Sequence, residues 1–389
     1  MAKIFIKLKK TAQAVGLLLF GIILSLSLLE IAIRLLNLEG DYFYRFDRRF
    51  GWSFVPNKKG LFINRTYGIK NRIQINSKGL RDSEHTYLKE EGTSRILVLG
   101  DSYAEAFQVE LKDTFYKILQ RELNKNGKSN WEVINAGVGG YGTDNELLFY
   151  SHEGYQYEPD IVILAFTMGN DVLNNGYLLK IEADKPYFVL ESQNLKLKNF
   201  PIPKPGITKN LKYFLANHSK LFLMAANLLV RQRSIVNLLS KLKLLRDPTS
   251  YNEGIPTAYF VYASQYPDGW KEAWDITKAL IIKLNDEVKR HRARLVVVLM
   301  PGQEQYYDES HMKRLFETYP AMKKQKWEMD KPDRILVSFL EEQKIDYVHL
   351  LPIFKTHTEK SGFVPHDHFN VEEHRLIGKT ICNFLSEKL

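Results

Sequence analysis

The chain has 389 residues, 44% of them hydrophobic and 26% charged, which excludes a disordered polypeptide and suits one large domain carrying an insertion. Lys and Arg number 55 against 45 Asp and Glu, a formal net charge of +10 that reads as diffuse along the chain; this argues against a nucleic-acid partner and for solubility and a membrane surface. The single cysteine, Cys382, excludes an internal disulfide and a cysteine-rich metal site, and reads as a helix packing residue.

The elements are taken in chain order. Lys3, Lys7, Lys9 and Lys10 precede an apolar run from Ala12 to Leu29 that continues as a helical pattern to Leu36. Such a run spans roughly 30 Å of hydrocarbon and leaves Glu30 and Arg34 near the far interface. Between Val15 and Leu24 it has no polar face, and no small-residue cleavage site precedes Glu30. The expected organisation is a cytoplasmic basic tail (1–11), a transmembrane signal anchor (12–36) and everything later on the opposite side of the membrane.

Residues 37–94 read as a β-rich stalk or extension, aromatic and basic, with a short strand at Ile73 and Ile75 running into the turn Asn76-Ser77-Lys78-Gly79. From Arg95 the pattern changes. Ile96 to Leu99 is a continuous apolar run, as in a strand covered on both faces, followed by a helix over 114–123, a strand at Val133 and Ile134, a helix from Asp144 and a buried strand over 161–165. That rhythm predicts a parallel sheet between helical layers. It breaks between 172 and 256, an insertion containing Pro201, Pro203 and Pro205 and two helical stretches, Leu211–Leu229 and Ser234–Leu245, that serve as a cap over the site or face the membrane. It resumes with a helix over 269–291, strands at 294–300 and 345–350, a helix over 330–342 and a closing helix from Val371.

Four short segments fall at the carboxyl ends of predicted strands or just before the last helix, where open α/β sheets place ligands. They are Gly100-Asp101-Ser102; Asn135 through Gly140; Gly169-Asn170-Asp171; and His368-Phe369-Asn370. In this order they resemble the four blocks of the SGNH (GDSL-like) hydrolase superfamily. The anchor and the stretch from Asn76 to Asp82 look like its membrane-anchored bacterial envelope subset. The resemblance implies a three-layer SGNH/flavodoxin-like sandwich over 95–389.

It also implies a serine esterase with Ser102 as nucleophile and His368 as base. The oxyanion hole would consist of the Ser102 and Gly140 amides and the Asn170 side chain. Asp101 and Asp171 read as supports for loops and helix starts. The sequence departs from the group at the orienting acid: the usual positions hold Pro365 and His366, and Asp367 adjoins His368. Asp367, a backbone carbonyl and His366 remain alternatives for orienting the imidazole, and His366 is an alternative base. Tyr103, Phe107, Tyr141 and Met168 line a pocket or pack in the core. His357, His366 and His368 with Asp367 raise a metal site as a lesser reading, and His374 reads as a capping or solvated helix residue; no metal or cofactor is expected.

The implied setting is a bacterial inner membrane, single pass, N-terminus cytoplasmic and catalytic domain periplasmic. The implied substrate is an O-acetyl or other O-acyl group on cell-envelope or exported polysaccharide. Expected partners are the bilayer, through 12–36, and the acylated carbohydrate, with a membrane acyltransferase or polysaccharide-assembly protein as a further one. Two other functions stay open: an O-acyltransferase working with a membrane partner, and an inactive binding or scaffold module in polysaccharide assembly.

Overall fold

A computed structural model describes residues 2–127, 130–179, 185–232, 251–252, 254–306, 309–361 and 368–388. The chain divides into two compact units, Met1–Phe43 with Pro205–Asp247, and Tyr44–Lys204 with Pro248–Leu389.

Helix α1 (Ala2–Leu35) opens the smaller unit, and from Ile4 to Leu35 it is long and apolar enough to cross a membrane. The larger unit begins with two antiparallel hairpins, β1 (Tyr44–Asp47) with β2 (Gly51–Phe54) and β3 (Lys59–Asn64) with β4 (Ile69–Gln74). There follow β5 (Thr93–Gly100), α2 (Ser102–Glu105), α3 (Phe115–Leu123), β6 (Asn130–Asn135), α4 (Thr143–His152), β7 (Ile161–Thr167) and α5 (Asp171–Asn175). A third hairpin, β8 (Tyr187–Glu191) with β9 (Asn194–Lys198), precedes the smaller unit's α6 (Ile207–His218) and α7 (Lys220–Arg231). The larger unit closes with α8 (Trp270–Arg290), β10 (Arg294–Met300), α9 (Lys331–Glu342), β11 (Asp346–His349), α10 (Leu351–Ser361) and α11 (Val371–Lys388). The expected helical stretch 211–229 breaks at Ser219, and the expected helix 234–245 lies outside the described residues.

Five parallel strands form the central sheet in the order β11-β10-β7-β5-β6, with Val98 of β5 opposite both Asn135 of β6 and Ile163 of β7. Alternation explains why the strands are apolar throughout. Ile96, Val98, Ile161, Ile163, Val296 and Val298 face one core with Phe115, Leu119, Ile377 and Ile381 of α3 and α11. Their neighbours Leu97, Leu99, Val162, Leu164 and Val297 are equally buried on the other face, the side of α4 and α8. The chain leaves β5 for β6 on one side and returns to β7 on the other. The loops after these three strands therefore diverge around a crevice at their carboxyl ends.

The hairpin region is stitched into this sandwich by buried polar groups. The Arg81 guanidinium donates to the carbonyls of Glu105 (2.5 Å), Ala106 and Val109 (2.6 Å). Asp82 accepts the Asn135 N–H at 2.9 Å and pairs with Lys117 and His85. Asn76 closes the preceding turn by accepting the N–H groups of Lys78 (3.0 Å) and Leu80 (2.9 Å), with Gly79 at φ +80° where side chains are disfavoured.

Helices α3 and α11 meet almost backbone to backbone, because a Cβ at Gly378 would stand 2.7 Å from the Phe115 carbonyl oxygen and 2.8 Å from Ile118 Cγ2. Gly378→Ala is expected to destabilise the larger unit by about 1–3 kcal/mol. The check is chemical denaturation: the midpoint should fall at unchanged slope, and an unmoved midpoint refutes the close contact.

Candidate active site

The nucleophile candidate sits at the sharpest turn of the sheet edge. Gly100 ends β5, Asp101 caps α2 by accepting the Tyr103 N–H at 2.9 Å, and Ser102 is the first helical residue. The Ser102 Oγ lies 2.8 Å from His368 Nε2, hydrogen-bond distance across 266 residues of sequence. The backbone just after His368 is fixed by a reciprocal cap: Asn370 Oδ1 accepts the Glu373 N–H at 3.0 Å, and Glu373 Oε2 accepts the Asn370 N–H at 2.7 Å. The Tyr103 ring covers the imidazole with centroids 4.7 Å apart and meets Phe369 at the same distance, so both the position and the plane of the base are held by packing.

The glycine loop after β6 is held from three directions. The Glu105 carboxylate accepts the Gly139 N–H and, at 2.7 Å, the Tyr44 hydroxyl. The Trp52 indole N–H donates to the Gly139 carbonyl at 2.9 Å, while Asn174 donates to the Tyr141 carbonyl at 3.0 Å. Gly140 has φ +81°, and a Cβ there would lie 3.2 Å from the Trp52 ring. Glycine is required at this position on both counts, and its bare backbone leaves the amide approachable. Burial pushes the Glu105 carboxyl up to about 7, although the bonds from Tyr44 and Gly139 and the charges of Arg81 and His368 pull it back.

Asn170 reaches the same edge from the end of β7. Its amide donates one hydrogen to Asp101 Oδ2 at 2.7 Å, which fixes the side chain and leaves the second hydrogen for another acceptor. Asp101 also accepts the Thr167 hydroxyl at 3.1 Å; Asp171 accepts the Thr167 N–H at 2.6 Å and the Thr143 hydroxyl at 3.2 Å. Burial raises both carboxyls above the usual range, Asp171 well above it with Asp101 adding to the effect. Both acids thus tie loops together.

The structure pairs Ser102 with His368 and Asp101 with Asn170, the two pairs joined through the chain at Asp101-Ser102. The orienting-acid candidate Asp367 and the alternative base His366 lie outside the described residues. Of the flanking residues, Phe107, Tyr141 and Met168 are buried packing groups, and Tyr103 alone lies against the imidazole. His374 is buried and accepts the Phe115 N–H at 3.2 Å; burial drives its pKa down to about 3, which keeps the ring neutral. Sequence reasoning did not single out Glu105, Tyr44 or Trp52. No motif marks them, and only the spacing of Glu105 from Ser102 within one helical turn hints at its place.

No family model matches the chain, and no curated protein matches it. Among similar solved structures are the acetyl xylan esterase AlAXEase (13% identity, 75% of this chain and 99% of that one, TM-score 0.40) and the psychrotrophic esterase EstA from Pseudoalteromonas sp. (13%, 76% and 97%, 0.35). A third is LAE5, an alpha/beta hydrolase enzyme from the metagenome of Lake Arreo, Spain (11%, 77% and 97%, 0.38). These findings correct two expectations. At these identities they reach no further than a generic α/β fold, and they do not support membership of the SGNH (GDSL-like) superfamily. The fold class, read from the sheet itself, is a three-layer α/β sandwich with a central parallel sheet, without the SGNH/flavodoxin-like label. The physical reason is that blocks of three to six residues at the carboxyl edge of a parallel sheet describe a site, and sites recur on many scaffolds.

The raised pKa of Glu105 has a signed consequence. Between its ordinary value of 4.5 and about 7, the folded chain keeps a proton that the unfolded chain has lost, so this group makes stability fall as pH rises through that window. Glu105→Gln removes this contribution and is expected to flatten the fall by on the order of 3 kcal/mol. Denaturation of the full chain in detergent at the two ends of the window measures it; an unchanged pH dependence contradicts a buried, proton-holding Glu105.

Proposed function

We propose that the chain is a serine-dependent esterase that removes O-acetyl or other O-acyl groups from cell-envelope or exported polysaccharide. Ser102 Oγ attacks the ester carbonyl as His368 Nε2 takes its proton, and the developing oxyanion is met by the Ser102 and Gly140 amides and the free hydrogen of the Asn170 amide. The imidazolium returns the proton to the leaving alcohol. Water, deprotonated by the same imidazole, then attacks the acyl carbon, and the imidazolium returns that proton to Ser102 Oγ as the carboxylic acid leaves. The observation that carries the reading is the 2.8 Å approach of Ser102 Oγ to His368 Nε2 at the rim where the glycine loop and Asn170 also end.

The reading includes a topology. Residues 1–11 lie in the bacterial cytoplasm, 12–36 cross the inner membrane once, and the β-rich extension 37–94 and the α/β domain 95–389, with its insertion 172–256, lie in the periplasm. What supports this is the one helix among the described residues that is long and apolar enough to cross a membrane, with lysines in its first turns.

A serine-reactive fluorophosphonate is expected to label the full-length protein at Ser102, seen by peptide mass spectrometry, and to leave Ser102→Ala unlabelled. His368→Ala should slow acetate release from an aryl acetate by about 10²–10⁴-fold. A folded protein that neither takes the label nor releases acetate would falsify the enzyme reading and leave a binding role. Gly140→Ala is expected to lower kcat by about 10²–10³-fold with KM nearly unchanged, because the amide is needed only once the oxyanion forms. A rise confined to KM would place Gly140 in ground-state binding.

A further inference from the structure

The net charge of the chain is not diffuse: from Pro201 to Arg246 the sequence holds nine Lys and Arg and no Asp or Glu, nearly all of the net +10. This stretch contains α6 and α7, and both expose apolar faces. Ile207, Leu211 and Phe214 recur once per turn along α6 and are 87%, 52% and 57% exposed, whereas the opposite face buries Ala216 and sets Tyr213 against Tyr42. On α7, Leu228 and Leu229 are also exposed. A helix that turns its apolar stripe outward beside clustered cations has the character of an element lying in a membrane interface.

The smaller unit fixes where that element sits along the anchor. Glu30 of α1 accepts the Ser219 hydroxyl (2.9 Å) and the N–H groups of Lys220 (3.0 Å) and Leu221 (2.8 Å), so a residue of the apolar helix caps the start of α7. Arg34 donates to the His218 carbonyl at 2.6 Å, and Lys220 reaches the Glu39 carbonyl at 3.0 Å. The corner between α6 and α7 is thereby pinned to the end of α1 and the residues just after it, where a helix spanning 12–36 leaves the hydrocarbon.

We infer that α6 and α7 form a second membrane-contacting element, their apolar faces seated in the outer interface of an anionic bilayer beside the anchor. The inference rests on the proposed crossing of the membrane by residues 12–36. The cations hold the pair to acidic headgroups, and the apolar stripe supplies the burial. Within the insertion, α6 and α7 are thus assigned to the lipid surface.

The test uses full-length protein with Cys382→Ser, carrying one environment-sensitive fluorophore at Leu211→Cys, Phe214→Cys or Leu228→Cys. Leu18→Cys in the anchor and Ser192→Cys at the β8–β9 turn are controls. Each is placed in nanodiscs of phosphatidylglycerol-containing or purely phosphatidylcholine lipid, with and without nitroxide acyl chains. The three test positions should be quenched by nitroxide to at least about half the extent seen at Leu18, more strongly in the anionic discs, while Ser192 stays unquenched. If Leu18 is quenched and the three positions behave like Ser192, the inference is overturned, whether their emission reports water or a protein contact. Quenching that is equal in the two lipids overturns the part assigned to charge. An unquenched Leu18 overturns the anchor reading itself, and the inference with it.

Discussion

Ser102 and Gly140 come from loops after different strands, and a contact that admits no side chain brings their backbones together. A Cβ on Gly137 would lie 2.5 Å from Ala104 Cβ and 2.8 Å from the Glu105 nitrogen, and one on Gly100 would lie 2.8 Å from Ala104 Cβ. The turn after β5 is therefore pressed against the loop after β6 as closely as two main chains allow, and the Glu105–Gly139 bond locks that approach. Sheet order does the rest. Because β5 lies between β6 and β7, the residue that follows β7, Asn170, is delivered to the opposite side of the same turn. Ser102, Gly140 and Asn170 are thus held at one edge by main-chain contact and hydrogen bonds.

The acids beneath this turn share very little compensating charge. Asp101, Asp144, Glu146 and Asp171 are buried close enough to influence one another, and Lys185 reaches Asp144 at 2.9 Å. Asp101 accepts three hydrogen bonds, from Tyr103, Thr167 and Asn170. Glu146 has none on either carboxyl oxygen among the described residues, and burial together with its acidic neighbours pushes its pKa well above the ordinary range. The three bonds that Asp101 accepts hold its carboxyl in place, and the one from Asn170 orients that amide.

Strands were legible because period and composition are local. The runs at 96–99, 161–165 and 295–300 are apolar at every position, and each proved to be covered on both faces. The candidate site residues stood out because Gly-Asp-Ser, the glycine loop and Asn170 each follow such an element, and His368 stands just before the last helix. What escaped was recruited by distance. Glu105 carries no motif, and its partners Tyr44 and Gly139 lie 61 residues before it and 34 after it. The break between α6 and α7 has a local cap, Ser219 accepting the Phe222 N–H, to which Glu30, 189 residues away, adds bonds that no window of sequence contains. The family label failed for a related reason: short blocks encode what an edge must present, and several scaffolds present it.

Strand periodicity alone would start the soluble half of the molecule at Arg95. A polypeptide cut there loses Arg81 and Asp82, and with them partners of the Glu105, Ala106 and Val109 carbonyls and of the Asn135 amide. The Ala106 carbonyl keeps the Val109 N–H, but each of the other three, left orphaned and buried, costs roughly 1–3 kcal/mol, together a large part of the margin by which an ordinary domain stays folded. The unit that folds around the parallel sheet is therefore longer than the sheet, and its proper beginning lies ahead of Tyr44, whose hydroxyl already belongs to the Glu105 carboxylate.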